Sequence, residues 1–383
     1  MKKRLLAVLA CAAVISSAGI SVEAAATENR ENARIGISIY DFEDDYMTLY
    51  RTELVRYLTE ELGFCKEDIL VEDAENNQEI QTEQIRGFID HQVDAMILNL
   101  VHPSSAPQIT DICSESGIPV IYVNRQPYEA EMLRWEEEEL QAAYVGADAR
   151  QSGTYQGEEI AATETRGDIN GDGTVSYVMI QGEPENIDTQ YRSAYSVKAL
   201  EDAGIKTKEL MAENGSWNRD QGADIARKAL EKFGKEIDVI FCNNDTMALG
   251  ALTAVREAGR EIGKDIYLTG VDALPEAVQG IEEGELTATV FNDYFSQSHT
   301  AAAAVAQYIQ GGEPETVNMI DYIKVTKDNA ESLLKRISCP QMRLKSVYKI
   351  SASWYNEGQN LEGIEWNYIM YFWWMTRQMC FLP

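Results

Sequence analysis

Nine short apolar runs punctuate the chain, at 35–40, 69–71, 95–101, 119–124, 144–146, 177–181, 239–244, 267–272 and 288–292. Each is nearly continuous in apolar content and rich in Ile and Val. Strands buried on both faces of a parallel sheet need this pattern, whereas half-exposed strands alternate. Amphipathic stretches lie between the runs, at 47–62, 79–91, 152–163 and 220–233. Alternation of strand and helix predicts βαβ units and an α/β fold. The strands are too many for one compact sheet of this type. The segment 168–173 interrupts the rhythm, which restarts at Tyr177. The pattern therefore predicts two Rossmann-like α/β lobes, each with its own parallel sheet.

In open α/β sheets, ligands lie outside the carboxyl ends of the strands. Those ends carry a consistent set of residues here. The first run leads into Asp41, Phe42, Glu43, Asp44, Asp45 and Tyr46, and another ends at Asn124 and Arg125. Later runs lead to 186–192, to Asn243, Asn244 and Asp245, to Asp272, and to Asn292 and Asp293. Planar Asn, Asp and Arg groups hold neighbouring hydroxyls with paired hydrogen bonds. Tyr46 and Trp217 offer flat apolar faces suited to a pyranose ring. Taken singly, each Asn or Asp reads first as a helix N-cap or turn residue. Recurrence at strand ends is what makes the set a candidate site.

Charge narrows the partners. The 383 residues carry a formal net charge of −30, from 63 acidic and 33 basic side chains. Such a surface repels nucleic acid and anionic lipid and suits a neutral or cationic ligand. Lys2, Lys3 and Arg4, an apolar stretch over 5–20 and the small residues Ala24, Ala25 and Ala26 form an export-signal pattern. Removing 1–26 takes away three positive charges and one negative, moving −30 to −32. A membrane anchor is the alternative for this segment. Cys11 after Val8, Leu9 and Ala10 gives only a weak lipoprotein pattern. The other cysteines, Cys65, Cys113, Cys242, Cys339 and Cys380, are odd in number and irregularly spaced. They predict neither a disulfide framework nor a zinc site. Cys113 and Cys242 read as small core residues.

The sharpest local motif spans 168–176. Asp168, Asn170, Asp172, Thr174 and Ser176 place oxygen atoms at alternate positions, with Gly173 at the sharp turn. This matches the first nine positions of an EF-hand calcium loop. The twelfth position is Met179, which has no carboxylate, so the loop is not an ordinary EF-hand. A plain Asp/Gly turn is the alternative. The end of the chain carries Trp366, Tyr368, Tyr371, Phe372, Trp373, Trp374 and Phe381, broken by Asn367, Thr376, Arg377 and Gln378. It is too short and polar for a membrane span and reads as a tail foreign to the fold, with an interfacial anchor as the alternative.

At the strand-end residues the sequence resembles the bacterial periplasmic galactose/glucose-binding protein family, from about residue 34 to 329. Similar blocks are 34–40, 97–101, 182–184, 243–248 and 270–277, in order. The resemblance implies a type I periplasmic binding protein: two lobes joined by a three-strand hinge. It divides the chain into a signal peptide (1–26), an N-terminal lobe (33–146 plus 293–321), a C-terminal lobe (147–292 plus 322–338) and an atypical tail (339–383). The hinge crossings would fall near 146–148, 291–293 and 321–323. Asp44 and Asn124 would bond a monosaccharide from the first lobe, and Tyr46 falls where the family usually has a stacking Phe. Asp188, Arg192, Asn244 and Asp272 would bond it from the second lobe, with Trp217 stacked on the opposite face. Asn292 would bond the ring side. Asn186 stands where the family usually has His. The family completes the calcium loop with a remote Glu, here Asp238, and Ser176 replaces a Gln. Calcium would be structural, held by Asp168, Asn170, Asp172, Thr174, Ser176 and Asp238.

The implied function is an extracytoplasmic, monomeric receptor that binds galactose or glucose and delivers it to an ABC transporter. A chemoreceptor is a further implied partner, and ribose or xylose an alternative ligand. An enzyme acting on sugars would need acid/base pairs such as Asp44 and Asp188. However, the set is dominated by hydroxyl-holding groups, and His91, His102 and His299 lie outside it. A sugar-responsive transcription regulator would need a basic helix-turn-helix ahead of the lobes, where the export signal stands.

Overall fold

The structure is a computed structural model and describes residues 32–338. The expectations for the export signal, the aromatic tail, Cys11, Cys339 and Cys380 lie outside these residues. The chain opens with β1 (Ile35–Ile39), α1 (Asp45–Arg56), β2 (Ile69–Asp73), α2 (Gln78–Asp90) and β3 (Ala95–Leu98). It continues with α3 (Ala106–Glu115), β4 (Val120–Val123), α4 (Glu129–Glu137) and β5 (Ala142–Gly146). A second series follows: α5 (Ala149–Ala161), β6 (Val175–Gln181), α6 (Ile187–Asp202), β7 (Thr207–Asn214) and α7 (Arg219–Phe233). Then come β8 (Val239–Cys242), α8 (Asp245–Glu257), β9 (Tyr267–Thr269), α9 (Pro275–Glu283) and β10 (Thr289–Phe291). Finally α10 (Tyr294–Ile309), β11 (Val317–Met319) and β12 (Ile323–Val325) return to both halves.

Two parallel sheets result, as the apolar runs predict. The first has the order β11-β5-β4-β3-β1-β2 and the second β7-β6-β8-β9. Parallel pairing throughout both sheets requires crossover helices and buries both strand faces. β1, β3, β4 and β8 are buried along their whole length. Strand β7 is the exception. It is an edge strand with mixed exposure and a mostly polar sequence, so hydrophobic pattern alone does not reveal it. The chain passes between the sheets at 147–148, 292–293 and 320–322. β10 and β12 pair antiparallel beside the last two crossings.

Both lobes place their site through a topological reversal. Neighbours of β1 run outward to β2 on one side and β3 on the other, and β6 likewise separates β7 from β8. Loops leaving the strands there open a crevice at the carboxyl ends. In the second lobe, α6 carries residues of that crevice and is seated on α5 by two glycines. A Cβ added at Gly157 would lie 2.2 Å from the Ser196 carbonyl oxygen, and one at Gly153 would lie 2.7 Å from that of Arg192. Backbone meets backbone here, so no side chain can yield.

Gly157→Val is therefore expected to destabilise the protein by at least about 1–3 kcal/mol, the cost of overpacking a close contact. Gly87→Ala in α2, where an added Cβ meets nothing within 4 Å, should be neutral or stabilising by up to about 1 kcal/mol. Urea unfolding followed by circular dichroism checks both. Equal stability of the two variants would contradict the packing argument.

Candidate ligand-binding site

Residues that follow strands of both sheets line one cavity. Tyr40, Asp44, Tyr46, Met47, Asn124 and Arg125 come from the first lobe. Asn186, Asp188, Arg192, Trp217, Asn244 and Asp272 come from the second. Nine of the ten ligand residues read from sequence are thus brought together. Asn292 does not line the cavity. Its Nδ2 donates to Asp272 Oδ1 at 3.2 Å and its Oδ1 accepts from Gln297 Nε2 at 2.5 Å. It holds Asp272 from behind.

The strand-end residues Asp44, Asn186 and Asn244 cap helices and line the cavity at once. Asp44 Oδ1 caps α1 by accepting from the Met47 N–H at 2.7 Å, while Oδ2 accepts from the Tyr40 hydroxyl at 2.7 Å. Asn186 caps α6 through Oδ1, which accepts from the Asp188 N–H at 2.9 Å. Asn244 caps α8 through Oδ1, which accepts from the Met247 N–H at 3.0 Å. The two asparagine caps use the amide oxygen, which leaves the Nδ2 donors of Asn186 and Asn244 for the cavity. Three helix N-termini thereby converge on it, and their dipoles favour oxygen acceptors there.

The second-lobe charges form one network. Arg192 is buried, and its Nη1 donates to the Asn243 carbonyl at 2.7 Å. Its Nη2 donates to Asp188 Oδ2 at 2.9 Å and to the Tyr322 hydroxyl at 3.2 Å. Asp272 Oδ1 stands 3.7 Å from Nη1. Burial pushes the Asp272 carboxyl up to about 7, with Asp44 and Asp188 adding to the rise and Arg192 and Asn292 opposing it. Burial likewise raises Asp44 and Asp188. Three acids thus accept, while the buried Nε–H groups of Arg192 and Trp217 lack an acceptor.

Backbone strain gathers at the same place. Asn124, Trp217 and Asp272 have φ values of 58°, 63° and 111°. Non-glycine residues rarely adopt this region, and such departures cluster at ligand-holding positions. Asn124 is held there by Asn99, whose Nδ2 donates to Asn124 Oδ1 at 3.2 Å. The Trp217 ring lies directly over Gly182. A Cβ at Gly182 would approach the indole to 2.1 Å, so only glycine lets the ring take this position.

Contacts between the lobes rim the cavity. The Arg125 guanidinium lies 3.4 Å from the Tyr40 ring centroid and pairs with Glu183 at 2.8 Å. Glu183 also accepts from Asn76 Nδ2 at 3.1 Å. On the far side, Asp45 Oδ2 accepts from the Thr246 hydroxyl at 2.8 Å. Tyr40 and Met47 are absent from the set read from sequence, and Arg125 is in it only as a strand-end residue with no ligand role. Arg125 follows Asn124 directly after β4, so the strand-end rule already points to it. Asn99 and Tyr322 act from behind the lining, and no sequence pattern marks them.

The 168–176 loop lies apart from this cavity. Asp168 accepts from the backbone N–H groups of Gly171, Asp172 and Gly173. Asn170 accepts from Asp172 N–H, and Asp172 from Thr174 N–H. The buried Asp238 carboxylate accepts from the N–H groups of Asn170 and Ser176 at 3.1 and 2.8 Å. Burial raises its pKa and the charges of Asp168 and Asp172 add to the rise, against those two hydrogen bonds. The predicted oxygen atoms thus share one loop and one buried acid. Among the described residues, no three His, Cys, Asp or Glu side chains form a ready metal-ligand group. Cys65, Cys113 and Cys242 are free thiols, the last two buried in the core.

Known proteins place this geometry. The family described as periplasmic binding protein domain matches residues 35–313. The D-galactose/methyl-galactoside binding periplasmic protein MglB of Haemophilus influenzae is 35% identical over 348 residues, covering 88% of this chain and all of that protein. An ABC transporter solute binding protein from Bacillus halodurans with bound myo-inositol is 28% identical, with a TM-score of 0.69 over 80% of this chain and 99% of its own. A Caulobacter myo-inositol binding protein bound to myo-inositol is 25% identical, with a TM-score of 0.69 over 80% of this chain and 96% of its own. Among the described residues, no helix is long and apolar enough to cross a membrane. With its two parallel-sheet lobes and the cavity between them, the chain belongs to the periplasmic binding protein family.

Proposed function

We propose that this protein captures a hexopyranose, galactose or glucose, outside the cytoplasmic membrane and hands it to the membrane subunits of an ABC transporter. The observation that carries the reading is the lining of the cavity: Tyr46 from one lobe, Trp217 from the other, and polar groups of both signs around them. Ionised carboxylates only accept, and the free amide, indole and guanidinium N–H groups only donate. A sugar hydroxyl does both, so a ring bearing several of them satisfies acids and donors together. Hydrogen bonds to charged groups contribute about 1.5–3 kcal/mol each when buried. The MglB relative carries galactose and methyl-galactoside in its name, which favours a hexose over a pentose.

The chemistry fits holding rather than turnover. Asp44 is committed to Tyr40 and the α1 cap, and Asp188 to Arg192. None of His91, His102 and His299 lines the cavity. Closure would proceed by rotation at the three crossings, with the Arg125–Glu183 and Thr246–Asp45 contacts forming as the lobes meet. Expelling water strengthens each bond to the sugar. The closed form is then the shape that a transporter, or a chemoreceptor, reads. The 168–176 loop would hold a structural calcium ion on Asp168, Asn170, Asp172, the Thr174 carbonyl and Asp238, with Ser176 at its edge. All of these are oxygen donors, the ligand class calcium takes.

Calorimetric titration should give about micromolar affinity or tighter for galactose or glucose, and at least tenfold weaker binding of ribose and xylose. Trp217→Ala should weaken the preferred sugar at least tenfold, about 1.4 kcal/mol. Tight binding to none of the four sugars would contradict the reading, and an unchanged Trp217→Ala affinity would remove the stacking role. Chelation with EDTA should lower the melting temperature by several degrees, with calcium restoring it. A melting curve indifferent to both treatments would refute the calcium assignment.

A further inference from the structure

The hydroxyl of Tyr46 is buried and has no hydrogen-bond partner. The residue is only 5% exposed, and it lines the cavity. A buried hydroxyl without a partner is unfavourable, because water satisfies it in the unfolded chain. Aromatic stacking needs no such group, since Phe offers the same face. The hydroxyl is therefore either a defect or a contact awaiting its partner.

Its surroundings favour the second. Tyr46 sits in the first turn of α1, pinned by the Asp44 cap. Burial raises the phenol most, and the charge acting most strongly on it is Asp272 of the other lobe. Neither Asp272 nor Arg192 bonds it. Asp272 has one carboxylate oxygen engaged by Asn292, and the four hydrogen-bonding partners of Arg192 and Asp272 found here are all protein groups other than Tyr46. A donor from the first lobe and an acceptor from the second thus flank the same cavity without meeting. A hydroxyl of a ligand drawn into that cavity can bridge them, accepting from the phenol and donating to the carboxylate. A methylene or a hydrogen at that position would leave both unpaired.

We propose that Tyr46 is a specificity-determining residue, whose hydroxyl donates to one hydroxyl oxygen of the bound monosaccharide while that hydroxyl donates to Asp272 across the cleft. This deepens the hexose reading above and rests on it. The bridge links the lobes through the ligand itself. A sugar lacking that one hydroxyl would bind in the first lobe without drawing the second onto it.

The test titrates wild type and Tyr46→Phe with galactose, glucose and the singly deoxygenated analogues of the sugar that binds more tightly. The variant should bind the parent sugar at least fivefold more weakly. For one analogue, wild type and variant should bind equally weakly, because the partner of the phenol is already gone. The ligand-free variant should melt at or above the wild-type temperature, since it loses an unsatisfied buried group. Parent-sugar binding within twofold of wild type would overturn the proposal and assign the hydroxyl to water. An equal loss for every analogue would overturn it too, as would a ligand-free melting temperature several degrees lower. If wild type binds none of the sugars, the hexose reading falls and this inference with it. If wild type binds and the variant is unaffected, only the inference falls.

Discussion

Two buried carboxylates, Asp188 and Asp272, meet one buried guanidinium. Asp188 bonds Arg192 directly, Asp272 stands within 4 Å of it, and Asp44 faces them from the other lobe. Arg125, also buried, lines the same cavity and acts on Asp44 and Asp188, yet desolvation raises all three acids. Such a group is costly unless donors arrive to satisfy it. Much of the surrounding architecture serves this cluster. Arg192 rides on α6, which the Gly153 and Gly157 contacts seat on α5. Asn243 fixes one end of the guanidinium, Tyr322 on the third crossing the other. Removing a single partner from a buried ionic group typically costs about 3–5 kcal/mol, so each support contributes to stability as well as to binding.

The cluster also connects ligand to hinge. Tyr322 and Asn292 belong to two of the three segments that cross between the lobes. One touches Arg192 and the other Asp272. A change in how a ligand engages these two side chains is therefore felt at the points where rotation occurs. The rim contacts are few: Arg125 and Asn76 on Glu183, His102 near Glu185, and a threonine hydroxyl on Asp45. A small rim leaves the ligand to supply much of the energy difference between open and closed forms, as a ligand-driven switch requires.

The two-lobed fold was legible because parallel strands buried on both faces leave unbroken apolar runs. Elements that escaped had no such run: β7 is a polar edge strand, and β11 and β12 have three residues each. The site was legible for a related reason. Residues just beyond buried strands must cap helices and face the crevice, so Asp44, Asn186 and Asn244 carry both marks. Asn292 satisfies the same rule yet sits one layer back, because its amide is consumed by Asp272 and Gln297. Tyr322 and Asn99 follow no local rule. Only the folded arrangement brings them to Arg192 and Asn124.

The most direct test is a crystal structure grown with the sugar of highest affinity. The account predicts the ring between Tyr46 and Trp217, its hydroxyls within hydrogen-bond distance of Asp44, Asp188 and Asp272, and the lobes closed by the Arg125–Glu183 pair. Sugar density elsewhere, or a ring in this cavity contacting only one lobe, would contradict it.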